Sequence, residues 1–177
     1  DGKIFNYDVR ILNDNGDDIT GIGAEGEIAA RGSGMMLGYK SKNQNDAAYS
    51  DGYFMTGDIG ILTNENALVI TDRKKDIIIR GGENISAKEV EDLLHNHPSI
   101  REAAVVSRPH PRLGEGVYAY LLIQPNTPPP SLNDIKEFCE TIKIAKQKIP
   151  EEIEILEDFP RTPSGKVRKD QLRMKLR

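Results

Sequence analysis

Lys166 lies in FPRTPSGKVRKDQLR, residues 159–173, where a Pro/Ser/Gly loop meets a run of helical character. Pro160 and Pro163 stiffen the loop, Gly165 frees the backbone, and the lysine projects a compact positive charge. A cation held this way suits a phosphate or another anion that must be met at one point. The stretch is not a triphosphate loop, since GxxxxGK[ST] needs glycine where Pro160 stands and a hydroxyl where Val167 stands. The alternative is a solvated basic tail, because RKDQLRMKLR is itself strongly basic.

Two further stretches could serve a nucleotide. In YFMTGDIG, Asp58 follows Thr56-Gly57 in what reads as a tight turn beside a strand, and a fixed carboxylate there can accept two hydrogen bonds from a ribose diol. The same aspartate could simply bind its own backbone. In TDRKKDIIIRGGEN, Arg73 offers a donor to the same nucleotide, and Gly81-Gly82 allows close backbone approach. The competing interpretation is a charged loop followed by a hairpin.

Other chemistries find little support. The three histidines are His95, His97 and His110, and the first two fall at the end of a helix, where the dipole favours cations. Neither Cys/His metal spacing nor a GxSxG elbow occurs, so no metal site is expected. RGSGMMLGYKSKNQND fails the dinucleotide fingerprint, because the third glycine falls at Leu37 and no helical pattern follows. The single cysteine, Cys139, excludes an internal disulfide, fits a reducing, cytoplasmic compartment, and reads as core. A net charge of -4 argues against nucleic acid as a partner. No apolar run approaches the roughly 20 residues of a membrane span.

The elements that must position these residues can be read from periodicity and punctuation. Strands are expected at Tyr7 to Leu12, Gly26 to Arg31, Leu68 to Thr71, Ile77 to Ile79, Ala103 to Ser107, Val117 to Ile123 and Glu152 to Leu156. Ser86 and Glu89 form a capping-box pattern, with Ile85 and Val90 as its staple and Val90, Leu93 and Leu94 as the apolar stripe. Ser131 caps a second helix that carries Ile135, Phe138, Cys139 and Ile142 on one face. The first part is β-rich and the last alternates strands with helices, with the short polar DRKKD between them as a hinge. The opening DGKIFNYDVRIL has no initiator Met and enters a strand at once, so the chain is expected to be cut from a larger protein.

Taken in order, GEIAARG, GYK, YFMTGD, DRKKDIIIRGGENISAKEVED and PRTPSGKVRK resemble the adenylate-forming superfamily of acyl- and aryl-CoA ligases, luciferases and peptide-synthetase adenylation domains. The wording of the DRKKD stretch is most similar to fatty-acid and carboxylic-acid CoA ligases. The resemblance implies an α+β fold in which residues 1–71 are the β-barrel-like end of a large N-terminal domain. Residues 72–76 are then a hinge centred on Lys75, and residues 77–177 a small mobile α+β domain.

It further implies that Asp58 and Arg73 bind the nucleotide, and that Lys166 reaches the α-phosphate and substrate carboxylate during adenylation. By the same resemblance Gly81, Gly82 and Glu83 line the CoA channel, while Lys148 and Arg112 are candidates for CoA phosphate contacts. Ile79 stands where certain relatives carry a second lysine. The implied substrates are a carboxylic acid, ATP and coenzyme A, with Mg2+ held mainly by residues upstream of this chain. A single preorganised ammonium at the developing charge is worth about 3–4 kcal/mol if it acts as one oxyanion-hole donor does. Two competing functions stay open: loading of a carrier-protein thiol, and a non-catalytic module whose basic tail docks on an acidic partner.

Overall fold

Alternating and β-branched runs dominate the first third of the chain, and in the computed structural model, which describes residues 2–4, 6–65 and 67–176, they form antiparallel strands. The chain divides into two units, residues 1–75 and 76–177. In the first, β1 (Gly2–Lys3), β2 (Tyr7–Leu12), β3 (Glu25–Gly32), β5 (Tyr53–Leu62) and β6 (Ala67–Arg73) run in the order β1-β6-β5-β3-β2, with β4 (Tyr49–Ser50) beside β5. Ile11, Ile28 and Leu62 are buried at its centre. In and just beyond RGSGMMLGYKSKNQND, where the sequence shows no helical pattern, lies a short helix, α1 (Lys42–Ala48), in which no residue is buried. Without an apolar stripe it gives no periodic signal, which is why sequence patterning misses it.

Asp58 is not in a tight turn. Thr56, Gly57 and Asp58 fall between the register pairs Ala29↔Met55 and Glu27↔Ile59, so they bulge out of the continuous strand β5 opposite Ile28. Gly57 takes φ 70°, a conformation that any side chain would strain. The Thr56 hydroxyl closes the bulge by donating to the Ile28 carbonyl at 2.8 Å and accepting from Asp58 N–H at 3.1 Å.

The second unit is built on β10 (Gly114–Ile123), which pairs antiparallel with β9 (Ile100–His110) and β7 (Ile78–Arg80) and parallel with β11 (Glu152–Ile155). The strand β8 (Glu83–Ile85) pairs with β7. β10 is buried on both faces, which explains its unbroken run VYAYLLI. Val117, Ala119 and Leu121 face one core with Val90 and Leu94 of α2 (Ala87–Leu94) and Ile135 and Cys139 of α3 (Leu132–Thr141). Tyr118, Tyr120 and Leu122 face the other, with Phe159 and Leu172, the latter on α4 (Lys169–Met174). The α+β fold class is as the resemblance implies.

Several local expectations change. Ser86 Oγ does accept from Glu89 N–H at 3.0 Å, but the Glu89 carboxylate turns to Lys148 instead of closing the box. The reciprocal box forms at Ser131, where Asp134 returns the bond. Ile142 is exposed, because α3 ends at Thr141. The basic C-terminal run is not a solvated tail: Leu172 is fully buried, Lys169 pairs with Glu91 at 2.7 Å, and Arg173 pairs with the buried Asp76. His97 sits against the Phe138 ring, and its desolvation lowers the imidazole pKa, which disfavours the cation a helix dipole would attract. No helix among the described residues is long and apolar enough to cross a membrane.

Candidate functional site

In the first unit, two of the nucleotide candidates meet. Asp58 and Arg73 are register partners on β5 and β6, and Arg73 Nε donates to Asp58 Oδ1 at 2.6 Å. The bulge lifts the carboxylate out of the strand's regular alternation, and Asp58 stays partly buried while Arg73 is exposed. Among the described residues Asp58 Oδ2 has no partner, so the carboxylate keeps acceptor capacity. Next along the chain, Lys74 Nζ binds Glu27 Oε2 at 2.6 Å, which fixes the strand end. Lys75 follows, exposed, inside a single 3-10 turn (Lys74–Asp76).

The second unit carries the remaining candidates. Gly81 and Gly82 are the two central residues of the β7–β8 hairpin, with φ 61° and 88°, the paired positive values of a type I′ turn. A Cβ at Gly82 would meet open space, so the glycine is demanded by its backbone and not by crowding inside this unit. Gly81 N–H donates to the Leu113 carbonyl at 2.8 Å, which brings the exposed Arg112 to the hairpin's neighbourhood. Arg80 reaches Glu151 with two N–H groups at 2.7 and 2.8 Å and ties the hairpin to the sheet. Glu83 is exposed at the hairpin's far side. Lys148 lies apart from these, its ammonium held by both Glu89 oxygens at 2.6 and 2.7 Å.

The Lys166 loop folds on itself. Thr162 N–H donates to the Lys166 carbonyl at 2.8 Å, Lys166 N–H to Thr162 Oγ1 at 3.1 Å, and Gly165 N–H to the Thr162 carbonyl at 2.9 Å. Gly165 takes φ 85° at the turn's corner. Arg161 and Val167 bridge across its base, and Phe159 plugs that base into the core. The Lys166 side chain is exposed, with no hydrogen-bond or ion-pair partner among the described residues. The cations around it are all engaged: Arg161 with Glu102, Arg168 with Asp170 and Lys169 with Glu91. Sequence reasoning missed the Arg161–Glu102 pair. The two residues lie 59 positions apart, one in a loop and one on β9, and no local periodicity links them.

Against known proteins, residues 89–166 match the family described as AMP-binding enzyme C-terminal domain. The chain is 44% identical over 149 residues to a peroxisomal trans-cinnamate:CoA ligase of Petunia hybrida, covering 84% of this chain and 26% of that protein. It is 42% identical over 153 residues to a medium-chain fatty-acid–CoA ligase of Escherichia coli K12, covering 85% of this chain and 27% of the relative. The chain thus spans about a quarter of the length of these curated relatives. Among solved structures it resembles the o-succinylbenzoate CoA synthetase of Bacillus subtilis in complex with its acyl-adenylate intermediate, with a TM-score of 0.84 and 35% identity over 96% of this chain and 34% of that one. The ATP-bound MatB of Rhodopseudomonas palustris gives a TM-score of 0.88 at 28% identity, over 97% of this chain and 34% of that one.

Proposed function

Because the chain belongs to the adenylate-forming enzymes, its residues 89–166 matching the C-terminal domain of AMP-binding enzymes, we propose that it is part of an ATP-dependent acid–CoA ligase. Such an enzyme first joins a carboxylate to the α-phosphorus of ATP, forming an acyl-adenylate and releasing pyrophosphate. The CoA thiol then attacks the acyl carbonyl, and AMP leaves as the thioester forms. The CoA ligases among the relatives support CoA over a carrier-protein thiol as acceptor.

Each candidate residue has work suited to its chemistry. Asp58 accepts from the ribose hydroxyls through the oxygen that Arg73 leaves open, and Arg73 holds the carboxylate's orientation. Lys166 neutralises charge that builds as the substrate carboxylate meets the α-phosphate. Gly81, Gly82 and Glu83 border the thiol's approach, and Arg112 offers a cation to the CoA phosphates. Lys148 is a weaker candidate for the same task, because an anion must displace Glu89 from it. Lys75 is the hinge about which residues 77–177 swing between the half-reactions, and the metal that accompanies ATP is held by residues upstream. We place the enzyme in the cytoplasm, which imaging of the tagged protein tests against the peroxisomal location named for some relatives.

The observation that carries this proposal is the state of Lys166: an exposed ammonium without a partner among the described residues, on a self-bonded loop whose neighbouring cations are all paired. In a basic docking tail the charges would be exposed together. The test is Lys166→Ala in the full-length ligase, read as carboxylate-dependent pyrophosphate exchange. Adenylation should fall about 10²–10³-fold with ATP binding retained. An unchanged exchange rate overturns the catalytic role, and acyl-CoA synthesis by the 177-residue chain alone overturns the assignment as one part of a larger enzyme.

A further inference from the structure

We infer that Arg161, braced by Glu102, is the positioning residue that aims Lys166, an inference that rests on the adenylating role of that lysine. The loop's own hydrogen bonds set its internal shape, but they do not set its direction relative to the sheet. Three attachments do. Phe159 and Val167 pack at the base of the loop, through apolar contacts that carry no directional bond. Arg161 is the polar one. Its Nη2 donates to both Glu102 oxygens, at 3.0 and 2.8 Å, and Glu102 sits on β9. Its Nη1 donates to the Gly165 carbonyl at 3.2 Å, one residue before Lys166. One planar guanidinium thus runs a continuous line from the sheet to the peptide that carries the lysine.

The surroundings favour this task over a stabilising one. Both side chains are about one-third exposed, at 31% and 36%, a setting in which an ion pair adds little to folding. Asp158 lies 3.5 Å from Nε, and the Phe159 ring lies under the guanidinium at 5.8 Å, so the arginine is held from several sides. The hydrogen bond to Glu102 raises the guanidinium pKa further, so the arginine stays charged. A lysine at 161 could not reach Glu102 and the Gly165 carbonyl with the same rigid fork. Misplacing a catalytic group by about 1 Å costs on the order of 10²-fold in rate, so the loop's direction matters even when its fold does not change.

The experiment compares half-reactions in the full-length ligase. Arg161→Met should lower the kcat of adenylation about 10–100-fold with the KM for ATP nearly unchanged. Thioester formation from preformed acyl-adenylate and CoA should stay near the wild-type rate, because Lys166 serves the first half-reaction alone. Arg161→Lys should restore part of the loss, and Glu102→Ala should reproduce it without adding to Arg161→Met. Wild-type adenylation by Arg161→Met beside an inactive Lys166→Ala sinks the positioning role. An equal fall in both half-reactions also sinks it, since that is the mark of a general structural defect. If Lys166→Ala itself adenylates normally, the fault lies with the role given to the lysine.

Discussion

Tyr120 shows how a single buried group sets a measurable property of the second unit. Its ring is wholly enclosed beside Tyr118, and its hydroxyl donates to the Leu172 carbonyl at 3.2 Å. Burial, then the Glu154 carboxylate and Tyr118, push the phenol from 10.0 up to about 12. The folded state therefore prefers the protonated phenol more strongly than the unfolded state does. That contribution is fully present below pH 10 and is lost as pH rises toward about 12, a range worth about 3 kcal/mol at 1.36 kcal/mol per unit. Tyr120→Phe should be less stable than wild type by about 1 kcal/mol at pH 8, for the lost hydrogen bond. The gap should close or reverse by pH 11, and urea unfolding at the two pH values measures it. A gap that widens with pH refutes the assignment.

At the scale of elements, the C-terminal helix α4 is fastened by one apolar anchor and one charged cluster. Leu172 fills the core while Arg173 and Lys169 meet Asp76, with Lys169 also holding Glu91, whose other bond goes to Val105 N–H at 2.6 Å. Among the described residues, removing Arg173 leaves the buried Asp76 carboxylate only Lys169, 4.0 Å away. Arg173→Met should destabilise this unit by about 3 kcal/mol, seen as lost hydrogen-exchange protection of β10 amides. Unchanged protection would refute the cluster's role.

The elements themselves were largely legible: Ser86 and Ser131 as caps, Cys139 as core, β2 at its observed bounds and β10 as a buried run all follow from periodicity and punctuation. What was not legible depends on pairs distant in sequence. Asp76 and Arg173 read as hinge and tail because charge alone does not reveal a partner 97 residues away. Nor could the Asp58 bulge be told from a turn, since Gly57 suits both.

For the whole molecule, the passage from one unit to the next is short. Lys74 is bound to Glu27 within the first unit and Asp76 to Arg173 within the second, which leaves exposed Lys75 between two anchored neighbours. If the second unit swings between half-reactions, the torsion change must be absorbed close to this residue. Lys75→Pro fixes φ near -65° and removes the N–H. In the full-length ligase it should suppress one half-reaction and spare the other, as separate assays of pyrophosphate exchange and thioester formation would record. Equal and wild-type rates in both would move the hinge elsewhere.

The anchoring on either side of Lys75 also bears on how such chains are recombined. The pairs Thr71–Glu25, Arg73–Asp58 and Lys74–Glu27 lie wholly before that residue, and Asp76–Arg173 lies wholly after it. A splice between homologues after Lys75 would carry every one of these pairs over intact. A splice a few residues to either side would part a buried or bridging charge from its mate and leave the graft to supply a substitute. Residue 75 is therefore the natural seam at which a foreign C-terminal unit could be exchanged into this scaffold.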